Sequence, residues 1–156
     1  MFPIKCIIIV YQVLPDAVGL LDCLRESGVV LGAVTNSDPR IDNILKDYKL
    51  RHYFEFILDA YTAVDYKPNP AIFAQAFELS GLPNLENSEV LHIGDSVQKD
   101  YIAAKNLGCS ALLIATDSKE QCRECGVSYD ESSMFQDLPS LITNLNTFFP
   151  GRGDTV

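Results

Sequence analysis

The feature that most limits the fold is a regular alternation of short apolar runs with stretches of helical period. Residues 29–34, 54–58, 90–93 and 111–114 are short, near-continuous apolar runs. They are too brief for helices and apolar on both faces, as strands covered by helices on either side are. Between them lie helical stripes. Ala17, Leu20, Leu21 and Leu24 recur at three- and four-residue spacing and stop at Gly28; Ile41, Ile44, Leu45 and Tyr48 follow Asp38-Pro39. Ile72, Phe73, Ala76 and Phe77 follow Asn69-Pro70 and stop at Gly81, and a helix over 99–107 stops at Gly108. Asp and Asn accept the free N–H groups of a first turn, proline is pre-set for it, and glycine reaches the left-handed conformation that closes a helix. The order strand–helix–strand predicts an α/β fold: a Rossmann-like, doubly wound, mainly parallel sheet flanked by helices, with ligands at the carboxyl ends of the strands. The pattern weakens over 118–133, and a short helix is expected over 139–145. Residues 1–150 are read as one domain and 151–156 as a flexible tail.

Charge narrows the partners. A net charge of −9 with no basic cluster excludes an electrostatic nucleic-acid or anionic-membrane surface. The longest apolar run, 7–10 and loosely on to Leu14, is too short to span a bilayer, and it lacks the flanks of a secretory signal. A cytoplasmic protein is expected, with oligomeric state left open. Five cysteines, odd in number and scattered, read as reduced thiols. Cys122-Arg-Glu-Cys125 has the spacing of half a zinc knuckle or a redox pair, but no second pair accompanies it. Arg152-Gly153-Asp154 reads as a chance tripeptide in a tail.

The polar residues that carry chemistry cluster where the predicted strands end. Thr35-Asn36-Ser37-Asp38 follows one strand and Gly94-Asp95-Ser96 another, with Asp100 one helical turn beyond. Lys67 stands in Tyr66-Lys67-Pro68-Asn69-Pro70, where two prolines stiffen the backbone ahead of a helix. Binding a phosphoryl group takes hydroxyl or amide donors, a lysine, and a cation held by carboxylates. Each residue alone has a blander reading: Thr35 as a turn residue, Lys67 as a solvated lysine, Asp95 as a helix cap, Asp100 as a helix-surface carboxylate. His52 and His92 are read as structural, because the sequence identifies no polar partner for either.

In combination, Val-Thr-Asn-Ser-Asp, then Tyr-Lys-Pro-Asn-Pro-Ala-Ile-Phe, then Leu-His-Ile-Gly-Asp-Ser with a further Asp resembles the second, third and fourth motifs of the haloacid dehalogenase superfamily. The resemblance runs from about Leu14 to Ile114. It implies a Rossmann-like core and a magnesium-dependent phosphatase mechanism acting on a small phosphorylated substrate. By residue, it implies Thr35 and Asn36 at the phosphate, Lys67 neutralising its charge, and Asp95 with Asp100 at the Mg2+ end. A receiver domain would use similar groups, but in the order acidic pair, phosphorylated Asp, Thr, Lys; here Thr35 and Lys67 come first.

One departure matters. Members of that superfamily begin with a strand ending in Asp-x-Asp, whose first aspartate attacks phosphorus, followed by a helical cap. No Asp-x-Asp occurs in these 156 residues. The chain is therefore expected to be an N-terminally truncated isoform or gene-model fragment of such a hydrolase, inactive by itself and weakened in Mg2+ affinity. A non-catalytic phosphate-binding or regulatory module is then the favoured reading. The missing strand would lie between those preceding Thr35 and Asp95, and each unpaired backbone group left there would cost about 1–3 kcal/mol if dry. Residues 5–11, rich in isoleucine and valine, are expected to fill that slot without bringing a carboxylate. Neither Cys6 nor Asp59 is a convincing replacement for the nucleophile.

Overall fold

A computed structural model gives the structure of residues 13–115 and 117–148. The expected surrogate strand at 5–11, Cys6 and the tail at 151–156 lie outside the described residues.

The chain alternates as its pattern predicts. Helix α1 (Ala17–Glu26) leads to β1 (Gly32–Val34), α2 (Arg40–Asp47) to β2 (Phe56–Leu58), and α3 (Pro70–Leu79) to β3 (Leu91–Gly94). A π-helical turn (Val97–Ile102) runs into α4 (Ala103–Asn106), then β4 (Ser110–Ile114), α5 (Ser118–Glu124), β5 (Met134–Phe135) and α6 (Leu138–Phe148). The caps follow the sequence signals. Asn69 Oδ1 accepts from Ala71 N at 2.9 Å ahead of Pro70, and Asp38 Oδ1 accepts from Arg40 N at 3.0 Å at the head of α2. Gly28, Gly81 and Gly108 all have positive φ just past helix ends.

Every described strand pair is parallel. β1 lies beside β2 with Gly32 opposite Phe56; β3 pairs with β4, and β4 with β5. The described strands thus form two sheets, β1–β2 and β3–β4–β5, with no described strand joining them. A shared core places both in one layer. Leu31 and Ala33 of the first sheet's side and Leu91, Ile93 and Leu112 of the second pack into one cluster with α1, α2 and α6. On the opposite face, Val34 and Leu58 meet Ile72, Phe73 and Ala76 of α3, while Val90, Ala111 and Leu113 meet Val97, Tyr101 and Ala104. Along β3 and β4 alternate residues enter opposite clusters, the period of two that a strand imposes. Leu20, Leu24 and Leu141 are fully buried, and each such side chain stabilises the fold by about 1.5–3 kcal/mol relative to exposure.

Gly32 is dictated by its neighbour. A Cβ there would lie 2.1 Å from Phe56 Cζ, so the ring of the directly opposed residue occupies the space a side chain would need. The chain moves outward from β1 to β2, then crosses to β3 and onward in the other sheet. In sheets with such a reversal the ligand crevice forms at the carboxyl ends of the flanking strands, here β1 and β3.

Candidate active site

Three connections meet over that crevice. Thr35 and Asn36 come directly off β1, Asp95 and Ser96 off β3, and Lys67 from the long β2–α3 connection. Thr35 is buried, and its backbone N–H continues the ladder to Leu58 O at 2.8 Å. Its Oγ1 accepts from Ser37 N at 2.9 Å. A threonine hydroxyl has one donor and two acceptor sites, so this bond leaves the O–H proton to give to an anion.

Asn36 positions the lysine. Its Oδ1 accepts from Lys67 N at 2.9 Å and its Nδ2 donates to Lys67 O at 3.0 Å, gripping the backbone of a residue 31 positions away on both sides. Lys67–Pro68 is a cis peptide. The Lys67 side chain, 9% exposed, reaches across to the other sheet, where Nζ donates to Asp100 Oδ1 at 2.6 Å. One lysine therefore ties the β1 side of the crevice to the β3 side.

Asp100 is brought there by the π-helical turn. Asp100 N and Tyr101 N both bond Ser96 O, at 3.0 and 3.2 Å, one spanning four residues and the other five. The widened turn directs Asp100 inward instead of onto a helix surface; such single turns recur at functional sites. Its Oδ2 accepts from Ser96 N at 3.0 Å and its Oδ1 also takes His92 Nε2 at 2.9 Å. Gly94 makes room for it: a Cβ at residue 94 would meet Asp100 Cγ at 2.2 Å. Burial alone would push the Asp100 carboxyl up, but the His92 hydrogen bond and the Lys67 charge outweigh it and hold the group well below the usual carboxylate range. Burial pushes His92 the other way, below its ordinary 6.5, against the pull of Asp100, so the imidazole is neutral at pH 7.

The structure thus brings Thr35, Asn36, Lys67 and Asp100 together and leaves Asp95 exposed at the crevice mouth. It adds His92, whose partner the sequence did not reveal. The signal available was its place in β3: period two turns His92 away from Leu91 and Ile93, toward α3 and the π turn. Asp59 is spoken for, since its Oδ1 accepts from Tyr61 N, Thr62 N and Thr62 Oγ1 at 2.9–3.0 Å and so closes the turn after β2. Burial pushes the Cys109 thiol up to about 11 and raises Cys122 as well, which makes both inert. Cys125 is exposed and accepts from Gln98 Nε2 at 3.6 Å.

The donor set for a metal is thin. Among the described residues no three His, Cys, Asp or Glu side chains converge as a cation site. Magnesium, however, is often held by one or two carboxylates with waters and phosphate oxygens. Asp95 supplies one free carboxylate, and Asp100, with three donors on about four lone-pair sites, retains room for a water. These residues fit a mostly hydrated cation that a phosphate helps to hold. No described helix is long and apolar enough to cross a membrane.

Comparison with known proteins agrees with this geometry. The family model for haloacid dehalogenase-like hydrolases matches residues 4–108, about two thirds of the chain. The chain belongs to the haloacid dehalogenase-like hydrolases. Similar relatives include the rhythmically expressed gene 2 protein of Drosophila melanogaster, 38% identical over 116 residues that make up 74% of this chain and 45% of that one. Haloacid dehalogenase-like hydrolase domain-containing protein 3 of Bos taurus is 38% identical over 105 residues, 67% of this chain and 41% of that one. The chain therefore spans less than half the length of these curated relatives. Among solved structures, a HAD phosphatase from Thermococcus onnurineus superposes with a TM-score of 0.69 at 28% identity, over 86% of this chain and 58% of that one. These likenesses establish the Rossmann-like α/β fold of the family.

Proposed function

We propose that this chain forms the phosphate-binding and charge-neutralising part of a phosphomonoester hydrolase site, and that by itself it binds phosphate without turning it over. The observation that carries the reading is the bridge from Asn36, next to Thr35 at the end of β1, through Lys67 to Asp100, which fixes a nearly buried ammonium between the two strand ends. Thr35 O–H and the backbone N–H groups after β1 would take one phosphate oxygen, and Lys67 would neutralise the charge on another. Asp95, and Asp100 through water, would hold Mg2+, which would supply further charge neutralisation when bound. The ligand class is a small phosphorylated compound; the HAD phosphatase among the solved relatives supports that class. The lack of any Asp-x-Asp in the sequence supports the absence of turnover, because the first aspartate of that motif is the family's attacking carboxylate. A non-catalytic phosphate-sensing role follows if the chain acts alone.

Two measurements test this. Inorganic phosphate, titrated calorimetrically with Mg2+ present, should bind the native chain and lose about tenfold or more in affinity in Thr35→Val and Lys67→Met, since each removes a hydrogen bond to a charged group worth about 1.5–3 kcal/mol. A generic aryl phosphate with Mg2+ should not be hydrolysed. Hydrolysis that Asp95→Asn abolishes would overturn the non-catalytic reading, and failure of the native chain to bind phosphate would overturn the site.

A further inference from the structure

Among the described residues, His92 carries a buried polar side chain that neither core packing, a turn nor the proposed anion contacts account for. It is 1% exposed in the middle of β3, with the edge of its ring against Phe73 at a centroid distance of 5.3 Å. Its Nδ1 is buried with no hydrogen-bond partner among the described residues. The tautomer follows from its surroundings. Asp100 Oδ1 already pairs with the Lys67 ammonium, and an ionised carboxylate can only accept, so Nε2 carries the proton and Nδ1 is a bare lone pair. A buried lone pair without a partner is a net cost, and an aliphatic side chain of similar size would avoid it. The compensation has to come through Nε2.

We infer that His92 is a positioning residue of the phosphate site, fixing the Asp100 carboxylate so that Lys67 presents its ammonium to an incoming phosphate from one place. The inference rests on the phosphate-binding reading above. A carboxylate held by one lysine alone can rotate about its Cβ–Cγ bond and follow the flexible side chain. Asp100 is held instead from three separate elements: His92 Nε2 from β3 and Lys67 Nζ from the β2–α3 connection on Oδ1, and Ser96 N from the loop on Oδ2. Three donors on two oxygens define the carboxylate plane. The lysine, clamped at its backbone by Asn36 and at its tip by this carboxylate, then has both ends fixed. The imidazole also shares the charge on Oδ1, which leaves more of the ammonium's field for the anion. Groups that orient a binding residue in this manner change affinity without touching the ligand.

The test compares His92→Leu, which keeps the volume and loses the donor, with His92→Gln, whose side-chain amide can still donate to Oδ1. Inorganic phosphate affinity should fall about tenfold in His92→Leu and return to within about threefold of the native value in His92→Gln, with both variants unfolding cooperatively in urea. The nitrogen-15 spectrum of native His92 should show the Nε2–H tautomer. The Lys67 ammonium resonance, sharp in the native chain, should broaden or vanish in His92→Leu before any anion is added. Native affinity in His92→Leu, equal weakening in both variants, an Nδ1–H tautomer, or an unchanged Lys67 resonance would each overturn the inference. Absence of phosphate binding in the native chain would instead remove the proposed function, while the Lys67 resonance would still report whether His92 orders the lysine.

Discussion

Replacing Gly94 by alanine tests how tightly the crevice is built. The new methyl would sit 2.2 Å from Asp100 Cγ and 2.4 Å from its Cβ and Oδ2. Carbon atoms rest about 3.5–4.0 Å apart, so the carboxylate has to withdraw by more than about 1 Å. Its contacts to Lys67 and His92, 2.6 and 2.9 Å now, would then stretch to or beyond the hydrogen-bonding limit of about 3.2 Å. At 2% exposure Asp100 has almost no water to replace them. Breaking a buried ion pair on one side costs about 3–5 kcal/mol, a large share of the roughly 5–15 kcal/mol by which a domain is stable. Urea unfolding followed by circular dichroism should show a midpoint lowered by about 1–5 M, given slopes of about 1–3 kcal/mol per M. The same substitution in an Asp100→Gly background, where the clashing atoms are gone, should cost much less; the difference isolates the contact. A Gly94→Ala chain within about 1 kcal/mol of native, or an equal cost in both backgrounds, would refute the packing argument.

Other consequences follow from the same network. Lys67→Met removes the cation and leaves the carboxylate buried, so it should destabilise by about 3–5 kcal/mol, and Lys67→Met with Asp100→Leu should recover most of that loss; urea denaturation of the single and double variants decides. Asn36→Ala deletes both bonds to the Lys67 backbone and should cost about 1–3 kcal/mol together with phosphate affinity, read by urea denaturation and calorimetry. His92 and Asp100 both have their pKa lowered on folding, from 6.5 and 3.8, so in each window the unfolded chain binds more protons. Their contributions are complete above those ordinary values and are lost as pH falls, beginning below 6.5 for His92 and below 3.8 for Asp100, at up to about 1.4 kcal/mol per pH unit and group. Urea titrations between pH 7 and 5 should show this decline in the native chain and a flatter profile in His92→Gln; identical slopes would contradict it.

Much of the fold was legible because its signals are local. Period, a capping Asn69 with Pro70 behind it, and glycines at 28, 81 and 108 each act within one helical turn, so α1, α2, α3 and the first four strands stand where the pattern put them. Thr35, Asn36 and Lys67 were legible as types at strand ends. Where the pattern was weak, the structure supplied α5 and the two-residue β5, the latter too short to show any period. The helix expected over 99–107 begins instead as a π turn at Val97, because seating Asp100 under Gly94 takes a wider turn than α geometry allows. The sequence by itself determined the alternating elements and the chemistry available at their ends. Tertiary structure decided which of those groups meet: Asn36 finds Lys67 31 residues away, Lys67 finds Asp100 33 residues away, and His92 gains a partner only when the π turn swings Asp100 inward. Such contacts join segments far apart in the chain, and no local period or propensity records them.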